Sequence, residues 1–443
     1  MRQISESMKR TLSILFVSLI SFSIFAERYV GGDISMLPKY EQYNSAYLDP
    51  NGKAIDDLLL WFHNTCGWNT FRVRIFVNPI QKAKGASDPS VCQTTEYVAA
   101  LGKRIKDAGA YFMLDFHYSD EWVDATHIQA PVAWQGASAA AMADSIADYT
   151  HRTLQALKDA GATPDLVQVG NEIMYGLCGI KVAPYSQTST DVNWPNYINL
   201  LKAGCDAVRA ELPDAQIIIH TDRPNEVTNT QYYYNKLING GVDFDIIGLS
   251  YYPFWHNQLT AEQNSSINLV RSLGTYASTF PTKRLHIVET AYNFQYWPTS
   301  GVKWDSRDVW ACSATGQYQF VRDLVNALLP LQNVDGLSYW FPEEAGNGDN
   351  GSVLSGWLNR GFWAEETSTT GHAINKTVKN TIGQIMTNIC APYYMGTFLN
   401  NQEESIESVT NNQSPTTNKI LRDGRLLIQR NNHTYSSTGQ LLE

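Results

Sequence analysis

Two acidic residues end hydrophobic runs. Glu172 closes LVQVGNE (Leu166–Glu172), and Glu289 sits late in RLHIVETAY (Arg284–Tyr292). An apolar segment is an expensive neighbour for a charge, so a carboxylate at its tip asks for a chemical reason. Two such groups on one site can cleave a glycosidic bond. One attacks the anomeric carbon while the other protonates the leaving oxygen and later activates water, and retention needs them about 5–5.5 Å apart. The attacking group must stay ionised and the other must hold its proton. A nearby arginine favours the first state, and burial with like charge favours the second. Arg72 and Arg74 are two apart on an extended run, so they share one face and point toward such a site together.

The same kind of tip recurs along the chain. Asp33, Arg72 with Arg74, Asp115 with His117, Asn171 with Glu172, His220 with Asp222, Tyr251 with Tyr252, Glu289 and Trp340 each lie at or near the end of an apolar run. One polar residue at a strand end is ordinary solvent contact. A whole set of groups that bind or titrate predicts a shared rim. Beside Glu172, the Asn171 amide is placed to donate to a sugar hydroxyl. Trp340 offers a flat face to a sugar ring.

The runs that must position these groups number eight: 29–35, 71–77, 111–118, 166–172, 215–222, 244–252, 284–292 and 334–341. Most are apolar on both faces, as parallel strands covered by helices are. Helical spacing fills the gaps. Val98, Leu101, Ile105 and Ala108 keep an i, i+3, i+7 rhythm that Gly109 stops, and Met142, Ile146, Tyr149, Leu154 and Leu157 do so before Gly161. Ile198, Leu201, Cys205, Val208 and Leu212 repeat the pattern before Pro213, as do Phe320, Leu324, Leu328 and Leu331. The alternation predicts an α/β fold, a (β/α)8 TIM barrel with long loops after the strands, whose active site lies at the C-terminal strand ends. An open doubly wound sheet fits less well, because GGDIS (Gly31–Ser35) has two adjacent glycines but no glycine-rich phosphate loop leading into a helix.

Composition narrows the partners. The 443 residues carry a net charge of −10, which disfavours nucleic acid, anionic membrane surfaces and polyanionic substrates. Twelve Trp and 24 Tyr suit either core packing or stacking on sugars. Lys9 and Arg10 precede an apolar run, Thr11–Ala26, followed by Glu27 and Arg28. This reads as a signal peptide over residues 1–26, too short for the ~20 residues of a spanning helix, so the chain is expected to be secreted, periplasmic or on the cell surface, with no transmembrane segment after processing. Six Cys without a CxxC pair argue against a zinc site. They allow 15 full pairings, or some stay buried thiols. Residues 27–398 are expected to form the barrel. A polar linker over 399–418 and a small β-type tail over 419–443 follow.

Longer stretches carry a resemblance. NTFRVRIFVNP (Asn69–Pro79), DFHYSDEWVDATHIQAPVAW (Asp115–Trp134), VGNEI (Val169–Ile173), GLSYYPFW (Gly248–Trp255) and VETAY (Val288–Tyr292) resemble glycoside hydrolase family 53, the endo-β-1,4-galactanases. The likeness implies a retaining barrel enzyme cutting neutral β-1,4-galactan of pectin side chains (type I arabinogalactan) from within; the protein is also expected to be bacterial and monomeric. The likeness implies Glu172 as acid/base and Glu289 as nucleophile, with substrate or supporting roles for Arg72, His117, Asn171, Tyr252 and Trp340 and a cleft-lining role for Trp122. With the tip residues Asp33 and Asp222 these make the expected binding set. No cofactor is required. Some bacterial relatives hold calcium in late loops, and EEAGNGDNGS (Glu343–Ser352) is rich in the oxygen ligands calcium prefers, without an EF-hand spacing. The family often has Glu-Pro after the strand-eight Trp, where this chain has Phe341-Pro342, with Glu343 and Glu344 beyond.

Three alternatives stand beside that expectation. A related barrel glycanase cutting mannan or cellulose would share the two carboxylates. A non-catalytic polysaccharide-binding barrel would have lost one of them, and both are present. A metal-dependent hydrolase would need a histidine cluster such as HxH, which this chain lacks.

Overall fold

The structure is a computed structural model. It describes residues 28–42, 46–49, 53–79, 90–253, 266–294, 310–344, 360–365 and 377–379, and three strands between 417 and 436. Eight parallel strands close into a barrel: β1 (Tyr29–Asp33), β2 (Thr70–Ile75), β3 (Tyr111–Phe116), β4 (Leu166–Val169), β5 (Gln216–Thr221), β6 (Ile246–Tyr251), β7 (Arg284–Thr290) and β8 (Val334–Trp340). Each overlaps one of the eight apolar runs. Each strand pairs with its sequence neighbours, and β1 pairs β8 to close the ring.

A helix lies between each consecutive pair: α1 (Leu58–Asn64), α2 (Thr95–Asp107), α3 (Ala139–Asp159), α4 (Trp194–Glu211), α5 (Val227–Asn239), α6 (Ser266–Thr279) and α7 (Ala314–Leu328). Side-chain caps start four of them. Asp57, Thr94, Ser138 and Ser313 each accept a backbone N–H three residues on, satisfying an otherwise orphaned donor. Gly109 and Gly161 follow α2 and α3 in left-handed conformations, with φ of 81° and 74°, where a Cβ would strain the backbone. The predicted stripes face inward: Val98, Leu101 and Ile105 on α2, and Phe320, Leu324 and Leu328 on α7, are buried.

Strand parity sorts the side chains into two populations. One face of each strand (Phe71, Val73 and Ile75 on β2; Ile247, Leu249 and Tyr251 on β6) joins the large core beneath the helices. Tyr251 lies against Phe320 of α7, with ring centroids 6.2 Å apart, so it belongs to that layer and not to the rim. The other face points into the barrel. Met113, Leu166, Ile218, Ile246 and Val288 form its small apolar plug. Above the plug the inward positions turn polar: Asp115, Gln168 and His220 two residues on, and Ser250 four residues past Ile246, beyond Gly248. Burying them requires that each find a partner, which they do in one network.

The chain divides into two units, Met1–Tyr394 and Met395–Glu443. In the second, Thr417–Arg422, Arg425–Arg430 and His433–Ser436 form a three-stranded antiparallel sheet. The signal-like segment lies outside the described residues. Among those described, no helix is long and apolar enough to cross a membrane. Cys178 and Cys205 are buried free thiols, and Cys390 lies outside the described residues.

Candidate active site

The C-terminal rim is organised around one arginine. The fully buried Arg72 guanidinium contacts Asp33 Oδ2 at 2.8 Å, Asp115 Oδ2 at 2.8 Å, Glu289 Oε1 at 2.9 Å and Asn171 Oδ1 at 2.9 Å. Register explains the convergence. Asp33 pairs both Arg72 on β2 and Trp340 on β8, and Arg74 pairs Asp115 on β3, so these side chains start at neighbouring levels. Asp33 lies wholly buried beneath the arginines, 3.5 Å from Arg74 as well. Burial opposes ionisation of Asp115, yet Arg72 and His117 hold its carboxyl below the usual range. Arg72 itself is held firmly protonated. Its burial works against the charge, but Asp115, Glu289 and Asp33 outweigh it.

Glu289 reaches this network through a local irregularity. Along β7, Ile287 pairs Leu249 of β6, but the next pair is Glu289 with Ser250, so Val288 is an extra residue on the strand. On the other side Ile287 pairs Leu337 and Thr290 pairs Tyr339. Strict alternation would send Glu289 outward with Ile287. The bulge turns it inward above Val288, the re-aiming that bulges perform next to active sites. Its second oxygen accepts the Tyr252 hydroxyl at 2.8 Å. Burial pushes the Glu289 carboxyl up to about 7, and the charge of Arg72 with the Tyr252 hydrogen bond keeps it from rising further.

Glu172 lies past the end of β4. The strand stops at Val169, Gly170 turns with φ 89°, and Glu172 itself is left-handed (φ 46°, ψ 46°) before a short 3-10 turn, Ile173–Tyr175. A non-glycine residue there is uncommon and costs about 1–2 kcal/mol, a strain characteristic of functional loops. The other left-handed non-glycine residues among those described, Tyr118, Cys178 and Phe341, also sit beyond barrel strand ends. Ser250 Oγ donates to Glu172 Oε1 at 2.6 Å. Burial pushes this carboxyl well above the usual range, and the charges of Glu289 and Asp222 push it the same way. Among the described residues, no cation pairs with it.

The remaining expected residues fall around these two. His117, buried, has Nε2 3.2 Å from Asp115 and accepts the Val123 N–H on Nδ1. Asn171 donates to the Val123 carbonyl at 2.7 Å, which leaves its second amide hydrogen free for the cleft. Trp122 lies under the Arg74 guanidinium at 4.3 Å and meets Trp340 edge-on at 6.2 Å. Burial lifts Asp222 to about 6 against the pull of Arg223, 2.9 Å away. Two network members were not foreseen. Ser250 and Gln168 look like small polar interruptions in apolar runs, and only counting inward parity from Ile246 and Leu166 marks them. Glu343 and Glu344 turn inward and are wholly buried, accepting the backbone N–H of Met36 at 3.0 Å and of Gly361 at 3.2 Å. Each gives one carboxylate oxygen to a backbone N–H, and the rest of that loop lies outside the described residues.

Comparisons agree with this picture. The model of the glycosyl hydrolase family 53 matches residues 29–386. An arabinogalactan endo-beta-1,4-galactanase of Humicola insolens is 31% identical over 339 residues, covering 74% of this chain and 93% of that protein. A GH53 catalytic domain from Ignisphaera aggregans superposes with a TM-score of 0.68 at 25% identity, covering 82% of this chain and 96% of that one. A structure of fungal beta-1,4-galactanases gives 0.65 at 27% identity, covering 82% and 100%. The chain is a glycoside hydrolase, and it belongs to glycosyl hydrolase family 53.

Proposed function

We propose that this glycoside hydrolase is an exported, monomeric endo-β-1,4-galactanase acting by double displacement, with Glu289 as nucleophile and Glu172 as acid/base. The observation that carries the reading is the unequal treatment of the two carboxyls. Glu289 touches Arg72 at 2.9 Å and Tyr252 at 2.8 Å, whereas Glu172, among the described residues, has a neutral hydroxyl donor and three like charges. At a pH where Glu289 has ionised, Glu172 still holds its proton. That is the starting state the first step needs.

Glu289 attacks the anomeric carbon as Glu172 protonates the departing oxygen, leaving a galactosyl-enzyme ester. Glu172, now a carboxylate, takes a proton from water that attacks the same carbon, and the sugar leaves with its original configuration. Arg72 steadies the nucleophile, with Asp33 and His117 as its supports. Asn171, Tyr252, Trp122, Trp340 and Asp222 line the cleft. The galactanase activity of the relatives and the acidic, aromatic-rich composition support a neutral galactan as substrate.

The test digests debranched galactan, mannan and carboxymethyl-cellulose in parallel and follows early galactan products by proton NMR. Galactan is expected to yield internal fragments whose first-formed reducing ends are β. Cleavage of mannan alone rejects the substrate, and α-first ends reject double displacement.

A further inference from the structure

Behind Glu172 lies a buried chain of hydrogen bonds that the reaction as stated leaves unused. Ser250 Oγ is 2.6 Å from Glu172 Oε1 and 2.8 Å from His220 Nε2. His220 Nδ1 faces the Gln168 amide at 3.2 Å, the Glu172 backbone N–H at 3.3 Å and Asn171 Oδ1 at 3.1 Å. Ser250 and His220 are almost wholly shielded from solvent, at 1% and 0% exposure.

The donor inventory fixes the direction of this chain. Burial and the charge of Arg72 hold His220 well below its ordinary range, so the imidazole is neutral and carries one N–H. Two donors face Nδ1, and Asn171 Oδ1 is already taken by Arg72 at 2.9 Å. Nδ1 therefore accepts and Nε2 keeps the hydrogen, an assignment made from partners as tautomers are. Nε2–H donates to Ser250 Oγ, and the serine hydroxyl is left to donate to Glu172 Oε1.

We propose that Ser250 and His220 are positioning residues for the acid/base: they commit Glu172 Oε1 as an acceptor and so place the catalytic proton on Oε2, facing the glycosidic oxygen. This rests on the assignment of Glu172 as acid/base. No proton leaves the serine. As Glu172 gives its own proton to the leaving oxygen, the Ser250 hydrogen bond becomes a bond to a carboxylate and strengthens, so it favours the transition state over the ground state. The charged groups around Glu172 are Glu289 on β7, Asp222 past β5 and Asp124 in the loop after β3, and all three oppose its ionisation. Ser250 is the donor that works the other way. Around His220 lie Arg72, Asp115, His117 and His286.

The experiment compares Ser250→Ala with Ser250→Thr, which keeps the hydroxyl. kcat/KM is measured across pH on galactan and on a dinitrophenyl β-galactobioside, whose leaving group needs no protonation. For Ser250→Ala we expect about a tenfold loss on galactan, less than about threefold on the activated glycoside, and an alkaline limb moved up by about one pH unit. Ser250→Thr restores the limb and most of the rate. His220→Gln, whose Nε2–H replaces that of the imidazole, is expected to retain more galactan activity than His220→Asn, which cannot reach Ser250. Equal losses of Ser250→Ala on both substrates, or an alkaline limb identical to that of the unmodified enzyme, overturn the proposal. Titration of the Glu172 side-chain carboxyl by carbon-13 NMR reads the same contact without substrate. An enzyme that leaves galactan uncut, while Glu172 titrates higher without Ser250, sinks the substrate assignment and keeps the positioning role of Ser250.

Discussion

The two carboxyls proposed as acid/base and nucleophile are the same residue type on one rim, yet their surroundings are opposite in kind. Around Glu289 the protein has built an ionic lattice, with one guanidinium shared among Asp33, Asp115 and Glu289. Around Glu172 it has built a neutral chain, a serine backed by an uncharged histidine, and among the described residues no cation pairs with the carboxyl itself. Charged partners hold a group in its ionised form, whereas burial among neutral donors and like charges keeps it protonated. The difference teaches that role here is set by neighbours. Exchanging the neighbours, and not the glutamates, is what would exchange acid and nucleophile.

The largest expected effect tests that division directly. Glu289→Ala is expected to lose galactan hydrolysis by on the order of 10⁴-fold or more, and Glu172→Ala by about 10²–10⁴-fold, with far less loss on an activated aryl glycoside. Azide then reports which face each side chain served. In Glu289→Ala it attacks from the vacated nucleophile side, a single inversion that gives the α-galactosyl azide. In Glu172→Ala it attacks the glycosyl-enzyme from the other side, a second inversion that gives the β-azide. Product NMR showing the anomers the other way round would reverse the two assignments.

How far this contrast was legible in the sequence depends on which physical signal carried each part. The barrel was readable because its strands are covered on both faces, so each is a continuous apolar run. The rim was readable because polar residues at run ends stand out. Parity inside the runs was readable in principle, and it would have separated Tyr251, packed against α7, from Tyr252, bonded to Glu289. It would also have marked Ser250. The bulge at Val288 was not readable, since nothing in RLHIVETAY distinguishes an extra residue from a regular one, and it alone turns Glu289 inward. Nor did the sequence separate a supporting carboxylate from a reacting one. Asp33 ends its run just as Glu172 does, but lies wholly buried under Arg72.

An intermediate effect sharpens the comparison from the Glu289 side. Tyr252→Phe removes the 2.8 Å hydrogen bond to Glu289 Oε2 and leaves the ring in place. That bond favours the ionised carboxylate, so without it Glu289 titrates higher than about 7. The acid limb of kcat/KM is expected to move up by about one pH unit, with roughly a tenfold loss near pH 6, since a hydrogen bond to a charged group contributes about 1.5–3 kcal/mol. The alkaline limb, which belongs to Glu172, should stay where it is. Movement of both limbs together would show that the two surroundings are not independent.

The smallest effect concerns stability and differs in size on the two sides. The folded protein raises Glu172 above its unfolded value, so its contribution to stability is full below about pH 4 and is lost as pH climbs toward the folded value. Glutamine imitates the protonated side chain and can still accept from Ser250. Glu172→Gln is therefore expected to match the parent near pH 4 and to exceed it by about 1–2 kcal/mol near pH 8, read as a higher Tm. Glu289 is raised less far, to about 7, because Arg72 stands against burial, so its ionisation in the folded protein costs less. Glu289→Gln should accordingly show a smaller gain at pH 8 than Glu172→Gln. Equal gains from the two substitutions would mean that Arg72 does little to distinguish them.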